Sequence, residues 1–149
     1  MEQKLVVNKK NLYNKFLNFF IKKGKKVKIK SILDATFLKM SQRYIYPINT
    51  LLLKTFVKLN SFLEIKNVKK NRRTRLIPFS ISLSRRSYIA LKWLKRSVLN
   101  DKRKISFSEK LKAEIINLNF KSKQSNSLSF KNMNTKQALA NRANIHFRW

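Results

Sequence analysis

Lys69-Lys70-Asn71-Arg72-Arg73-Thr74-Arg75 is the run with the plainest chemistry, since only Asn71 and Thr74 in it carry no charge. Clustered ammonium and guanidinium groups neutralise phosphate, Lys as a point charge and Arg as a planar fork of donors. A second cluster, Lys22-Lys23-Gly24-Lys25-Lys26, surrounds the single glycine of the chain. A third set, Arg85, Lys92 and Arg96, falls in one narrow stripe at roughly 100° per residue, with Lys95 extending it. Nothing comparable points to catalysis. Glu2, Asp34, Glu64, Asp101, Glu109 and Glu114 are scattered, His146 is the only histidine, and there is no cysteine. That excludes disulfides, thiolate metal sites and a Cys nucleophile, and it leaves no Ser/His/Asp set or zinc site at useful spacing. One glycine is also too few for a glycine-rich phosphate loop. The expectation is a protein that is not an enzyme and holds no cofactor or metal.

The charge balance says what the cations are for. Lys and Arg total 36 against 6 Asp and Glu, a net charge of +30 over 149 residues. A small folded domain with that surplus repels itself, so a polyanion is its expected partner. The basic residues run from Lys4 to Arg148 instead of gathering in one tail. That distribution fits a body touching phosphate on several sides better than a disordered arm. The hydrophobic fraction of 43%, with eleven Phe, is enough to build a core. A cationic amphipathic membrane-surface protein and a nonspecific nucleic-acid-binding protein are the competing classes. No apolar run approaches the ~18–20 residues of a spanning helix, Leu51-Leu52-Leu53 being the best. Met1–Lys10 has no apolar signal core and reads as neither a secretory signal nor a transit peptide.

The elements that must position these cations follow from periodicity. Leu12, Phe16, Phe19 and Phe20 recur at helical spacing over 11–21, and Gly24 ends that helix. A second helix over 28–43 places Ile29, Leu33, Thr36, Phe37 and Met40 on one side. Pro47 restarts the chain, and a third helix to Asn60 turns Leu52, Phe56 and Leu59 inward. The period then changes to two: Leu63 and Ile65, and later Ile77, Phe79, Ile81 and Leu83, alternate with polar or small residues. Two strands over 62–83 therefore form a hairpin whose tip is the cationic run, with Pro78 on an outward edge. Ser84 is the expected N-cap of a fourth helix reaching Asn100, with Ile89, Ala90, Trp93, Leu94 and Val98 on its inner arc and Trp93 as a core anchor. Ser106 and Glu109 have capping-box spacing and open a fifth helix through Phe107, Leu111, Ile115 and Leu118. The segment 121–133 is rich in Ser, Asn and Lys and reads as a flexible, RNA-accessible loop, leaving 134–149 as a sixth helix and tail. The fold expected is mainly α: a single domain, 1–149, of about six helices with a protruding two-stranded hairpin between the third and fourth.

Particular residues in this order carry a resemblance. They are Gly24-Lys25-Lys26, Glu64-Ile65-Lys66, Ile77-Pro78, Arg85-Arg86-Ser87-Tyr88-Ile89-Ala90-Leu91-Lys92-Trp93-Leu94, and Ala138 with Ala140-Asn141-Arg142-Ala143. The closing His146-Phe147-Arg148-Trp149 completes the set. Together they resemble the small-subunit ribosomal protein family numbered seven. The resemblance implies six helices and a hairpin, binding to the 3′ major domain of small-subunit rRNA, and nucleation of the subunit head. It also implies head and platform proteins as neighbours and a hairpin near the exit-site tRNA and the mRNA. Carried over by position, it assigns RNA contacts to Lys25, Lys26, Lys69, Lys70, Arg72, Arg73, Arg75, Arg85, Lys92, Arg96, Arg142 and Arg148. The chain departs from the family pattern at the hairpin tip, where Asn71 and Arg72 replace paired glycines, and at a shortened N-terminal arm containing Glu2. Acidic and histidine positions are also missing before the last helix. Poverty in Gly with abundant Lys, Asn, Ile, Phe and Leu points to an A+T-rich gene. That favours the mitochondrial matrix and its ribosome over a plastid or a bacterial cytoplasm.

Overall fold

The computed structural model describes residues 9–42, 47–70 and 72–148. The expectations for the N-terminus, Arg43 and Trp149 lie outside them. Among the described residues, six α-helices and one β-hairpin follow in chain order: α1 Lys9–Phe20, α2 Lys26–Ser41, α3 Ile48–Leu59, β1 Leu63–Lys70, β2 Arg73–Ser80, α4 Leu83–Asn100, α5 Phe107–Phe120 and α6 Asn126–Ala140. Short 3-10 helices cover Ser122–Gln124 and Arg142–Arg148. The mainly helical class and the hairpin between α3 and α4 agree with the sequence expectation.

The helices form where apolar residues repeat along one face, because burying that face supplies most of a helix's stability. Leu12, Phe16, Leu17 and Phe20 of α1 meet Leu33, Phe37 and Met40 of α2, Leu51, Leu52 and Leu59 of α3, and the inner faces of α4 and α5. Phe16 is fully buried at the centre of an aromatic cluster. Its ring lies 5.1 Å from Phe20, 6.3 Å from Phe37 and 6.2 Å from Phe56, the last two edge-on. Trp93, expected as a core anchor, is only partly buried, whereas Leu91 and Leu94 are enclosed. An indole is large enough that its rim stays wet even from an inward arc.

Tyr13 of α1 donates to Asp34 of α2 at 2.6 Å. Desolvation first, then the bond to Asp34 and its charge, push the Tyr13 phenol up to about 12 from 10.0. A raised phenol favours the protonated folded form, so its stabilising contribution is complete below pH 10 and is lost as pH rises through about 12. In an absorbance titration, a late tyrosine step should appear at about pH 12, and Tyr13→Phe should remove it. If the late step survives in Tyr13→Phe, this assignment is wrong.

The first two helices begin two residues earlier than expected, and Leu83, expected on the second strand, opens α4 because β2 ends at Ser80; three further differences are larger. The run Lys69–Arg75 is mostly strand, because the antiparallel register continues from Leu63↔Ser80 to Lys70↔Arg73. Ladder hydrogen bonds are made by backbone and need no apolar side chains, so β1 runs on to Lys70 and β2 already begins at Arg73. Second, α4 is preceded by Ser82, not Ser84. Ser82 is extended at the cap position without a capping side-chain bond, and the two hydroxyls lie 3.3 Å apart. Third, 121–133 is not a loop. Ser125 caps α6 by accepting from the Leu128 amide at 3.3 Å, and α6 continues to Ala140. The expected closing helix 134–149 is accordingly the second half of α6 followed by the separate 3-10 helix.

Candidate nucleic-acid interface

Exposed cations gather at the three places that the sequence singled out. The first is the turn between α1 and α2. Lys23 and Gly24 there have φ of 50° and 71°, a left-handed pair that reverses the chain. A Cβ on Gly24 would meet nothing within 4 Å, so glycine serves the backbone conformation and not the packing. The Lys25 amide donates to the Lys22 carbonyl at 3.1 Å, and the Lys26 amide to Gly24 at 2.7 Å. Lys22, Lys23, Lys25, Lys26, Lys28 and Lys30 are all exposed. The first turn of α2 contains no acid. Cations at a helix N-terminus oppose the helix dipole, so this turn is electrostatically unsatisfied until an anion arrives.

The hairpin end is the second place. Lys69, Arg72 and Arg73 are exposed, and Arg75 is partly covered. The side chain of Lys70 and the whole of Asn71 lie outside the described residues. Lys70 pairs with Arg73 in the backbone ladder. The outer face of α4 is the third place, where Arg85, Lys92 and Arg96 are exposed in the expected stripe. Arg96 lies over the Phe130 ring at 4.9 Å. Arg85 is paired with Glu64 through bonds of 2.8 and 3.2 Å and lies 4.9 Å from the centre of the Tyr88 ring. The hydrogen bond from Arg85 holds the Glu64 carboxyl below its usual range. Arg142 is exposed, while Arg148 is partly covered against the hairpin. The ion pairs Lys39–Glu109, Arg85–Glu64 and Arg103–Asp101 leave the α1–α2 turn and the described tip cations without an acidic partner among the described residues.

Other cations are engaged inside the protein, which the sequence did not reveal. Lys58 of α3 donates to the Leu118 and Asn119 carbonyls at the end of α5, both at 2.8 Å. Lys131 of α6 donates to Lys58 at the end of α3 at 2.6 Å, and Lys110 of α5 to Asp101 after α4 at 2.8 Å. Lys95, expected on the basic face of α4, instead donates to Phe19 at the end of α1 at 2.9 Å. Each ammonium meets the carbonyl end of a neighbouring helix, where the helix leaves acceptors unpaired and the dipole favours positive charge. Burial holds both Lys95 and Lys131 below the usual lysine range. Lys58→Met should therefore lower stability by about 1–2 kcal/mol in thermal melts while leaving the salt dependence of RNA binding unchanged. A flatter salt dependence would show Lys58 to be a phosphate contact.

Among the described residues no helix is long and apolar enough to cross a membrane. No group of three His, Asp or Glu among them is placed to hold a metal ion. A helical body with a cationic hairpin, bearing lysines without an acidic partner among the described residues, defines a basic nucleic-acid-binding class of protein. Residues 1–142 match the family model described as ribosomal protein S7p/S5e, and the chain belongs to that family. Membership makes it a ribosomal protein. It is 28% identical over 145 residues to the small ribosomal subunit protein uS7m of Marchantia polymorpha, an alignment covering 94% of this chain and 60% of the relative. The chain thus spans about 60% of the length of that curated relative.

Proposed function

We propose that this protein is a constituent of the small subunit of the mitochondrial ribosome that binds the 3′ major domain of its rRNA and nucleates assembly of the head. The hairpin then extends toward the exit-site tRNA and the mRNA, with head and platform proteins alongside. The observation that carries this reading is the division of the cations. Lys58, Lys95, Lys110 and Lys131 are turned inward onto helix ends, whereas the described cations of the α1–α2 turn and of the hairpin tip (Lys69, Arg72 and Arg73) are exposed and have no acidic partner among the described residues. The outward set, Lys25, Lys26, Lys69, Arg72 and Arg73, with Arg75, Arg85, Lys92, Arg96 and Arg142, supplies the phosphate contacts, and Lys70, next to Lys69 in sequence, is assigned to the same interface. Affinity comes mainly from counterion release, and specificity from the shape of a folded RNA junction. Kinship with the Marchantia protein uS7m and the glycine-poor, Lys- and Asn-rich composition support the mitochondrial assignment.

The membrane-surface reading fares worse, because the apolar stripes of α1 to α5 are packed against one another and are not offered to lipid. Titrating the protein against a 3′ major domain transcript, duplex DNA of equal charge and anionic vesicles tests the choice. The transcript should bind tightest at physiological salt. Equal affinity for DNA, or preference for vesicles, overturns the proposal.

A further inference from the structure

A two-stranded ribbon has two open edges and is marginally stable alone. Both edges of this hairpin are closed at its base by side chains from the C-terminal third of the chain. On the β1 edge, Asn134 of α6 donates to the Leu63 carbonyl at 2.9 Å. On the β2 edge, Asn144 donates to Leu76 at 3.1 Å, and Arg148 donates through Nε at 2.9 Å and through Nη2 to the Pro78 carbonyl. The second amide hydrogen of Asn144 is directed at Asn141 Oδ1, 3.3 Å away, which fixes the amide on its own segment. Stacking adds to this: the Arg75 guanidinium lies 3.9 Å over the Phe147 ring, and that of Arg148 lies 5.6 Å from Phe79. Leu76 and Pro78 are alternate residues, so the two carbonyls lie on the same, outer side of β2.

We infer that the 3-10 helix Arg142–Arg148 is a brace that sets the direction in which the hairpin projects, and that Asn144 and Arg148 are positioning residues. Arg148, which the family pattern offered as an RNA contact, acts here through a backbone carbonyl of β2. Without the brace, β2 below Arg75 has a free edge and the cationic tip samples more directions. RNA then selects the productive one at a cost in affinity without any loss of phosphate contacts. The RNA part of this inference rests on the proposed function, whereas the brace itself can be read in the free protein.

The test uses Asn144→Leu, which removes a donor without changing charge, and Arg148→Lys, which keeps the charge but loses the fork. In the free protein, amide hydrogen exchange over residues 73–80 should accelerate about tenfold in Asn144→Leu, with exchange in α5 unchanged. On the 3′ major domain transcript, both variants should bind several-fold more weakly with an unaltered slope of log K against log salt. Unchanged exchange in β2 for both variants would overturn the brace. Wild-type affinity in Arg148→Lys together with a slope reduced by about 0.7–0.9 in Arg148→Met would instead make Arg148 a phosphate contact.

Discussion

Changing Lys69, Lys70, Arg72 and Arg73 together to Ser should flatten the slope of log K against log salt by roughly 3 on the rRNA transcript. Each cation that neutralises a phosphate releases about 0.7–0.9 of a counterion, and these four lie at the strand ends and turn of the hairpin. At about 0.1 M salt, the same contacts correspond to nearly three decades of affinity if all four meet phosphate. Fold stability should be maintained, because Lys69, Arg72 and Arg73 are exposed and make no ion pair among the described residues. Filter binding or fluorescence anisotropy across a salt series measures the slope, and circular dichroism checks the fold. An unaltered slope would remove the hairpin tip from the interface.

Glu114→Ala should cost about 2–4 kcal/mol, which lowers the melting temperature by roughly 6–13 °C in a chain of this size. Glu114 is 7% exposed, and its Oε1 accepts from Ser125 Oγ at 2.8 Å, from the Ser127 amide at 2.9 Å and from Ser127 Oγ. Alanine would leave a buried backbone N–H and two hydroxyls without that acceptor. The hydroxyls, 3.1 Å apart, can partly satisfy each other, but the amide cannot. Because these bonds fix the start of α6, hydrogen exchange should rise over 125–140 before it rises in α1 or α2. Glu114→Gln keeps an acceptor oxygen and should lose less. Wild-type exchange in α6 of Glu114→Ala would show that other contacts anchor this helix.

The same glutamate shows why part of the fold escaped sequence reading. The helices α1 to α5 were legible because Phe16, Leu33, Leu52, Leu94 and Ile115 lie on repeating apolar faces, and periodicity encodes such faces directly. Ser106 was legible as a cap, and the Glu109 amide does donate to it at 3.3 Å. The Glu109 side chain, however, reaches Lys39 at 3.5 Å. By contrast, α6 has almost no apolar stripe. It is held by Ser125 and Ser127 on Glu114, by Lys131 on Lys58 and by Asn134 on Leu63, polar bonds joining distant parts of the chain. No local pattern announces such partners, so a Ser- and Asn-rich helix reads as a loop. The interface was legible to the same degree. The clusters at 22–26 and 69–75 were visible as charge, and the outward stripe of α4 as spacing. Which lysine faces out was not visible: Lys28 and Lys58 have similar surroundings in sequence, yet one is exposed and the other closes the end of α5. The side chain's direction depends on where a neighbouring helix ends, which is a tertiary fact.

The central claim is that the unpaired outward charge of this protein is cancelled by ribosomal RNA. Sedimenting a mitochondrial lysate and identifying the proteins of the small-subunit peak by mass spectrometry tests it most directly. The chain should appear there in near-stoichiometric amount and be released by high salt or ribonuclease. A chain missing from every ribosomal fraction, and recovered instead as free protein or on membranes, would contradict the account.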